Sequence, residues 1–162
     1  MQNAQNTFYI TLRNRLAALN PNRTIYLRGV TRPGILVESN ELVTAEPPSN
    51  VFVVRWTGLR ADPYLAEVLT QMECEIEYMT EGTSGNIGSD RGTLLTEMDA
   101  ELLSVLQPQQ VQKTDYSVTP PAAMGTRVSW TGPVFEPVAR ERDRLVRKAE
   151  ITVVSYEEAG EL

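Results

Sequence analysis

Apolar residues recur along this chain with two different periods, and the changes of period divide it into elements. Phe8, Leu12, Leu16 and Leu19 are spaced four, four and three apart, the single stripe of a helix over 7–19. Asn6 stands at its cap position and Pro21 lies just past its end. Arg13 and Arg15 fall off the stripe and are expected in water. Residues 24–30 and 34–38 read as short strands around the turn signal Thr31-Arg32-Pro33-Gly34. A polar, acidic connection with Pro47-Pro48 follows over 40–50, which reads as an ordinary surface link in preference to a contact loop. Residues 51–57 are almost continuously apolar, as in a central strand covered on both faces. A turn carrying Asp62-Pro63 comes next.

Strict alternation then takes over. In 72–79, Met72, Cys74, Ile76 and Tyr78 point one way, and Glu73, Glu75 and Glu77 the other. This is the signature of an antiparallel, half-exposed strand. A loop with Gly82, Gly85 and Gly88 leads into a second helix over 90–106, with Ser89 or Asp90 as N-cap. Its stripe is Leu94, Leu95, Met98, Leu102, Val105 and Leu106, and Pro108 stops it. A proline-punctuated connection (114–124) precedes strands at 126–135, broken by Gly132-Pro133, and at 145–156. Between those strands sits the charged stretch 136–144. Helices are not interleaved between every strand pair. The expected fold is therefore α+β: one domain, 1–162, with a mainly antiparallel sheet, two helices packed against it, extended loops and a β-hairpin. Residues 1–6 and 157–162 are polar or acidic and are expected to fray.

Composition narrows the chemistry. The 162 residues carry a net charge of −6 and no histidine. An acidic balance argues against tight general binding of nucleic acid, which needs clustered cations. Cys74 is the single cysteine, and on an apolar strand face it reads as a small buried hydrophobe. A catalytic thiolate would lack its usual histidine base. No apolar run reaches the ~18 residues of a membrane span, and the polar start shows no signal-peptide pattern. A soluble protein made in the cytoplasm is expected, with no cofactor, no metal and no catalytic residue.

Three clusters remain as candidate sites. The glycine loop lies between a strand and a helix, where phosphate loops occur. It lacks both Gly-x-Gly-x-x-Gly and a following Gly-Lys-Ser/Thr. A loop that orders on a partner, presenting Gly82, Gly85, Gly88, Asp90 and Arg91, fits better. Glu73, Glu75 and Glu77 admit three readings: a solvated face, an acid–base or metal site, or the wall of a bore that repels DNA phosphates. The ribbon Arg140, Glu141, Arg142, Asp143, Arg144, Arg147 and Lys148 interleaves both signs. If it is extended, Arg140, Arg142 and Arg144 share one face and the acids share the other. It reads either as a salt-bridged subunit interface or as a solvated hairpin tip. Trp56 and Trp130 read as core aromatics.

These residues carry a resemblance. Ser89-Asp90-Arg91-Gly92 running into Leu94-Leu95-Thr96-Glu97-Met98-Asp99-Ala100-Glu101-Leu102-Leu103 looks like the second helix of the tail terminator proteins of long-tailed bacteriophages. The opening helix, the closing strand 148–156 after a charged segment, the size and the acidity are also similar. The resemblance implies a ring, usually of six subunits, seated on the last ring of the tail tube. Such a ring stops tube growth and presents a surface to the head–tail connector protein, and DNA passes through without specific binding. It implies a virion protein of the tail neck, assembled in the host cytoplasm. In that setting the arginine ribbon would join subunits, the glycine loop would meet tube or connector, and the three glutamates would face the lumen. Two neighbouring roles, connector and tail tube subunit, share the pattern. A small metal-dependent hydrolase using Glu73, Glu75 or Asp90 is the reading from a different class.

Overall fold

A computed structural model describes residues 1–41, 47–62, 67–159 and 161. The chain is α+β and the sheet is mostly antiparallel, as expected. Helix α1 spans Gln2–Leu19 and helix α3 spans Arg91–Val105, with a short α2 at Glu38–Glu41 between them. A two-stranded hairpin, β1 (Thr24–Leu27) and β2 (Val30–Pro33), stands apart from the main sheet. The main sheet runs β3 (Ile35–Val37), β4 (Phe52–Asp62), β5 (Leu69–Thr80), β10 (Arg144–Tyr156), β7 (Ala122–Trp130), β6 (Gln110–Asp115). Two short strands, β8 (Val134–Phe135) and β9 (Ala139–Glu141), pair with β10 beside β7. Only β3–β4 is parallel among the described pairs.

The core lies between one sheet face and the two long helices. Phe8, Leu12 and Leu16 of α1 and Leu95, Met98 and Leu102 of α3 pack on Cys74, Ile76 and Tyr78 of β5 and on Ala149, Ile151 and Val153 of β10. Phe8 sits edge-on to Trp56 and Trp130, at centroid distances of 5.8 and 5.3 Å, and Trp130 donates its indole N–H to the Leu106 carbonyl. Tyr78 and Arg147 are register partners on the helix side of the sheet, and both bond Asp99 of α3. This polar knot fixes the angle of α3 on the sheet. The expected alternation of β5 holds: every buried residue from Thr70 to Tyr78 is at an even position.

Several boundaries differ for identifiable reasons. The helix expected from residue 7 begins at Gln2, because buried Ala4 extends the Phe8–Leu12 stripe by one turn. Leu19 leaves that stripe and is about half exposed. Arg15 is not simply in water. It lies 5.2 Å from the Trp130 ring and donates to the Val105 carbonyl, crossing from α1 to α3. The first hairpin turns at Arg28-Gly29, not at Pro33-Gly34. Both residues have positive φ (49° and 83°), the geometry that suits the twist of a two-residue hairpin. Gly58 does not end its strand but sits at a bulge that lets β4 continue to Asp62. β4 is covered on both faces only over Phe52–Val54, and its far half is exposed. Strand β6 occupies part of what reads as a connection. Pro63 of the expected turn and residues 42–46 of the 40–50 link fall outside the described residues.

The acidic tail is also tied down. The Glu157 amide donates to the Val68 carbonyl, and the buried Glu157 carboxylate receives the Met1 ammonium and the Thr70 hydroxyl. Glu161 pairs with the fully buried Lys113 at 2.7 Å. Lys113 also donates to the Tyr156 carbonyl.

Candidate functional site

The glycine loop closes through Asp90. Sequence spacing makes Asp90 the N-cap of α3, yet its carboxylate makes no capping bond. Instead it accepts from the Thr83 amide (2.9 Å), the Thr83 hydroxyl (2.7 Å) and the Asn86 side chain (3.1 Å). Those bonds hold the carboxyl down at about 2. Gly82 and Gly88 pack face to face with φ of +81° and +71°. A Cβ on Gly82 would stand 2.6 Å from the Gly88 Cα, so neither position accepts a side chain. Gly85 meets nothing within 4 Å and is not required by the fold. The closed loop thrusts Ile87 outward. Ile87 has φ +53° and is 90% exposed, two properties that a β-branched residue seldom shows.

The arginine ribbon is not one face. Arg142-Asp143 is the tight turn joining β9 to β10, and Arg142 has φ +54°. Arg140 and Glu141 are exposed on β9. Arg147 lies on the helix side, bound to Asp99 and to the Glu136 carbonyl. The even-spaced pattern fails because the turn reverses the chain between Glu141 and Arg144.

What the fold brings together is the glycine loop and that turn. Arg91 bridges them: its Nε donates to the Gly88 carbonyl at 2.7 Å and its Nη1 to the Asp143 carbonyl at 2.6 Å. Arg144 donates to Glu81 at 2.8 Å. Between the two loops lies an open groove of about 550 Å³, lined by Glu81, Gly82, Ile87, Arg91, Arg142, Asp143 and Arg144, among others. Two clusters that the sequence presents separately are thus halves of one surface. Arg142 has no hydrogen bond or ion pair among the described residues.

The three glutamates share the opposite face of β5, but they are not bare. Glu75 pairs with Arg55 at 3.0 Å and with Lys148 at 3.2 Å. Glu77 pairs with Lys148 at 3.4 Å, and Glu73 accepts from the Thr152 hydroxyl at 3.0 Å. Arg55 also makes a two-pronged contact with Glu38, both distances 2.7 Å. Burial pulls the Lys148 ammonium down, but Glu75 and Glu77 outweigh it and hold the group above its ordinary range. The face is an ion-pair lattice in which carboxylates outnumber cations. Among the described residues, no cluster of three metal-ligating side chains occurs. Cys74 is buried, and desolvation pushes its thiol far up, which keeps it protonated. No described helix is long and apolar enough to cross a membrane.

The sequence reading missed the buried pair Lys113–Glu161 and the exposure of Ile87. The first had no signal, since Lys113 lies in a polar stretch. The second had a weak one: a lone isoleucine between glycines. No protein-family model and no curated protein matches the chain.

Proposed function

We propose that this chain is a structural subunit of a phage tail neck, joining copies of itself into a ring that caps the tail tube. The observation that carries the reading is the single groove built from the glycine loop and the β9–β10 turn. It presents an exposed apolar residue, Ile87, beside Arg142, whose guanidinium has no partner among the described residues, both on left-handed backbone. Strained, outward-pointing side chains on a cross-braced frame suit contact with a protein partner. The order of elements, with long helices before and within the run of strands, agrees with the resemblance to tail terminator proteins on which this reading draws. In this reading the ring halts tube growth and offers its other side to the head–tail connector protein.

The lattice of Glu73, Glu75 and Glu77 lines the lumen. Carboxylates outnumber Arg55 and Lys148 there, so the surface repels a polyanion and lets DNA slide. Changing all three glutamates to lysine should stall DNA passage in assembled particles, and normal delivery would rule the lumen placement out.

The capping role is tested by adding the purified protein to polymerising tail tube subunits. Shortened tubes with added density at one end are expected. Incorporation along the wall would instead make it a tube subunit. Binding to the head-side connector with no effect on tube length would make it a connector. Indifference to both would end the tail-neck reading.

A further inference from the structure

The central strand pair carries a different surface at each of its ends. One end, where β5 finishes and β10 begins, holds the groove with Ile87 and Arg142. At the other end, where β5 begins and β10 finishes, lies a second open groove of about 610 Å³. Glu67, Glu157 and Glu158 line it together with Val68, Thr126 and Ala159, and no basic side chain does. Gly125 lies in the same wall and contributes no side chain. Glu67 is exposed and makes no hydrogen bond or ion pair among the described residues. Glu158 Oε1 accepts from the Thr126 amide (2.7 Å) and hydroxyl (2.8 Å), which fixes the carboxylate and leaves Oε2 without a hydrogen-bond partner among the described residues. One end therefore offers an apolar knob and a free cation. The other offers a groove lined by carboxylates together with Val68 and Ala159.

The twelve residues of β5 separate the two ends. At ~3.3 Å per residue the separation is about 35–40 Å, so the two surfaces cannot meet within one copy. We infer that they meet between copies: Ile87 of one subunit enters the recess beside Val68 and Ala159 of the next, and Arg142 pairs with that subunit's Glu67 and Glu158. The occupant of each groove is a second copy of this chain. The contact is heterologous, using a different patch on each partner, so each added subunit exposes a fresh end until the ring closes. This deepens the assembly reading and rests on it, because it names the two surfaces that join.

Charge swapping tests the pairing. Arg142 and Glu67 are both exposed and without hydrogen-bond or ion-pair partners among the described residues, so Arg142→Glu and Glu67→Arg should melt like wild type. Each reversal alone sets like charges against each other at every junction, and should raise the dissociation constant by about tenfold or more in sedimentation velocity. Mixed in equal amounts, the reversed end of each variant meets the reversed end of the other, and the unreversed ends meet as in wild type. The mixture should therefore reassemble, with the two variants alternating. The double variant Arg142→Glu/Glu67→Arg should assemble alone. Ile87→Asp should weaken assembly without rescue by either charge variant. Single variants as well assembled as wild type would overturn the pairing while leaving the assembly reading intact. So would single variants that dissociate but are not restored by mixing. A wild-type protein that stays monomeric at every concentration would overturn the assembly reading itself.

Discussion

Replacing Lys113 by methionine tests how the acidic tail is held. Methionine keeps most of the apolar stem and removes only the ammonium. Lys113 is fully buried and its Nζ serves two acceptors, the Glu161 carboxylate at 2.7 Å and the Tyr156 carbonyl. Stripping one partner from a buried ion pair costs about 3–5 kcal/mol when the other charge stays trapped. Here the trapped charge has an exit. Glu161 is nearly buried, but beyond Lys113 its hydrogen bonds among the described residues are with Glu158, three residues back in the same segment. The segment can swing out and hydrate the carboxylate, which leaves the loss of a charge-assisted hydrogen bond, about 1.5–3 kcal/mol. The expected cost is thus about 2–3 kcal/mol, a fall in Tm of about 5–10 °C for a chain of this size. Urea unfolding of wild type, Lys113→Met, Glu161→Gln and the double variant gives the coupling directly. Acid supplies a second check. Burial pushes the Glu161 carboxyl up, but the Lys113 hydrogen bond, the Glu158 amide and the nearby positive charges together hold it below its ordinary value of 4.5. A carboxyl depressed in the folded state contributes its stability above 4.5 and loses it as pH falls through the lower, folded value. The gap between wild type and Lys113→Met should therefore be constant from about pH 5 to 8 and shrink in acid. A gap below about 0.5 kcal/mol at pH 7, or one that widens in acid, would refute the reasoning.

Three other outcomes follow from the same geometry. Asp90→Ala should open the glycine loop, seen as loss of hydrogen-exchange protection at the Thr83 amide with the melting curve little changed. Full retained protection would mean the three bonds to Asp90 do not close the loop. The Asp90 carboxyl should titrate near 2, so the loop stays closed through pH 4, and an ordinary midpoint near 3.8 by NMR would contradict that. Leu102→Ala, at a fully buried position between α3 and the sheet, should cost about 2–5 kcal/mol in urea unfolding, and a cost below 1 would place Leu102 outside the core.

The sequence showed the parts of this fold that rest on local period. The glutamate alternation put Cys74, Ile76 and Tyr78 on the core face, and the stripe of 90–106 put Leu95, Met98 and Leu102 there, because each is fixed by spacing within one element. Contacts between distant segments were not visible. Arg91 and Asp143 are 52 residues apart, so the glycine loop and the arginine turn looked like separate sites. Asp90 has the sequence of a cap, yet the glycine-bent loop offers its carboxylate three nearer donors. Arg142 interrupts the two-residue period because it turns the chain, and spacing alone cannot tell a turn from a strand in a run of charges. Lys113 is buried because it has a carboxylate 48 residues away, and no rule of composition places a lysine inside.

Negative-stain electron microscopy of the purified wild-type protein tests the central claim most directly. Closed rings of one diameter with an open centre are predicted, since a cap that halts tube growth must itself stop at a closed ring of head-to-tail contacts. Monodisperse monomers, or open filaments of indefinite length, would contradict it.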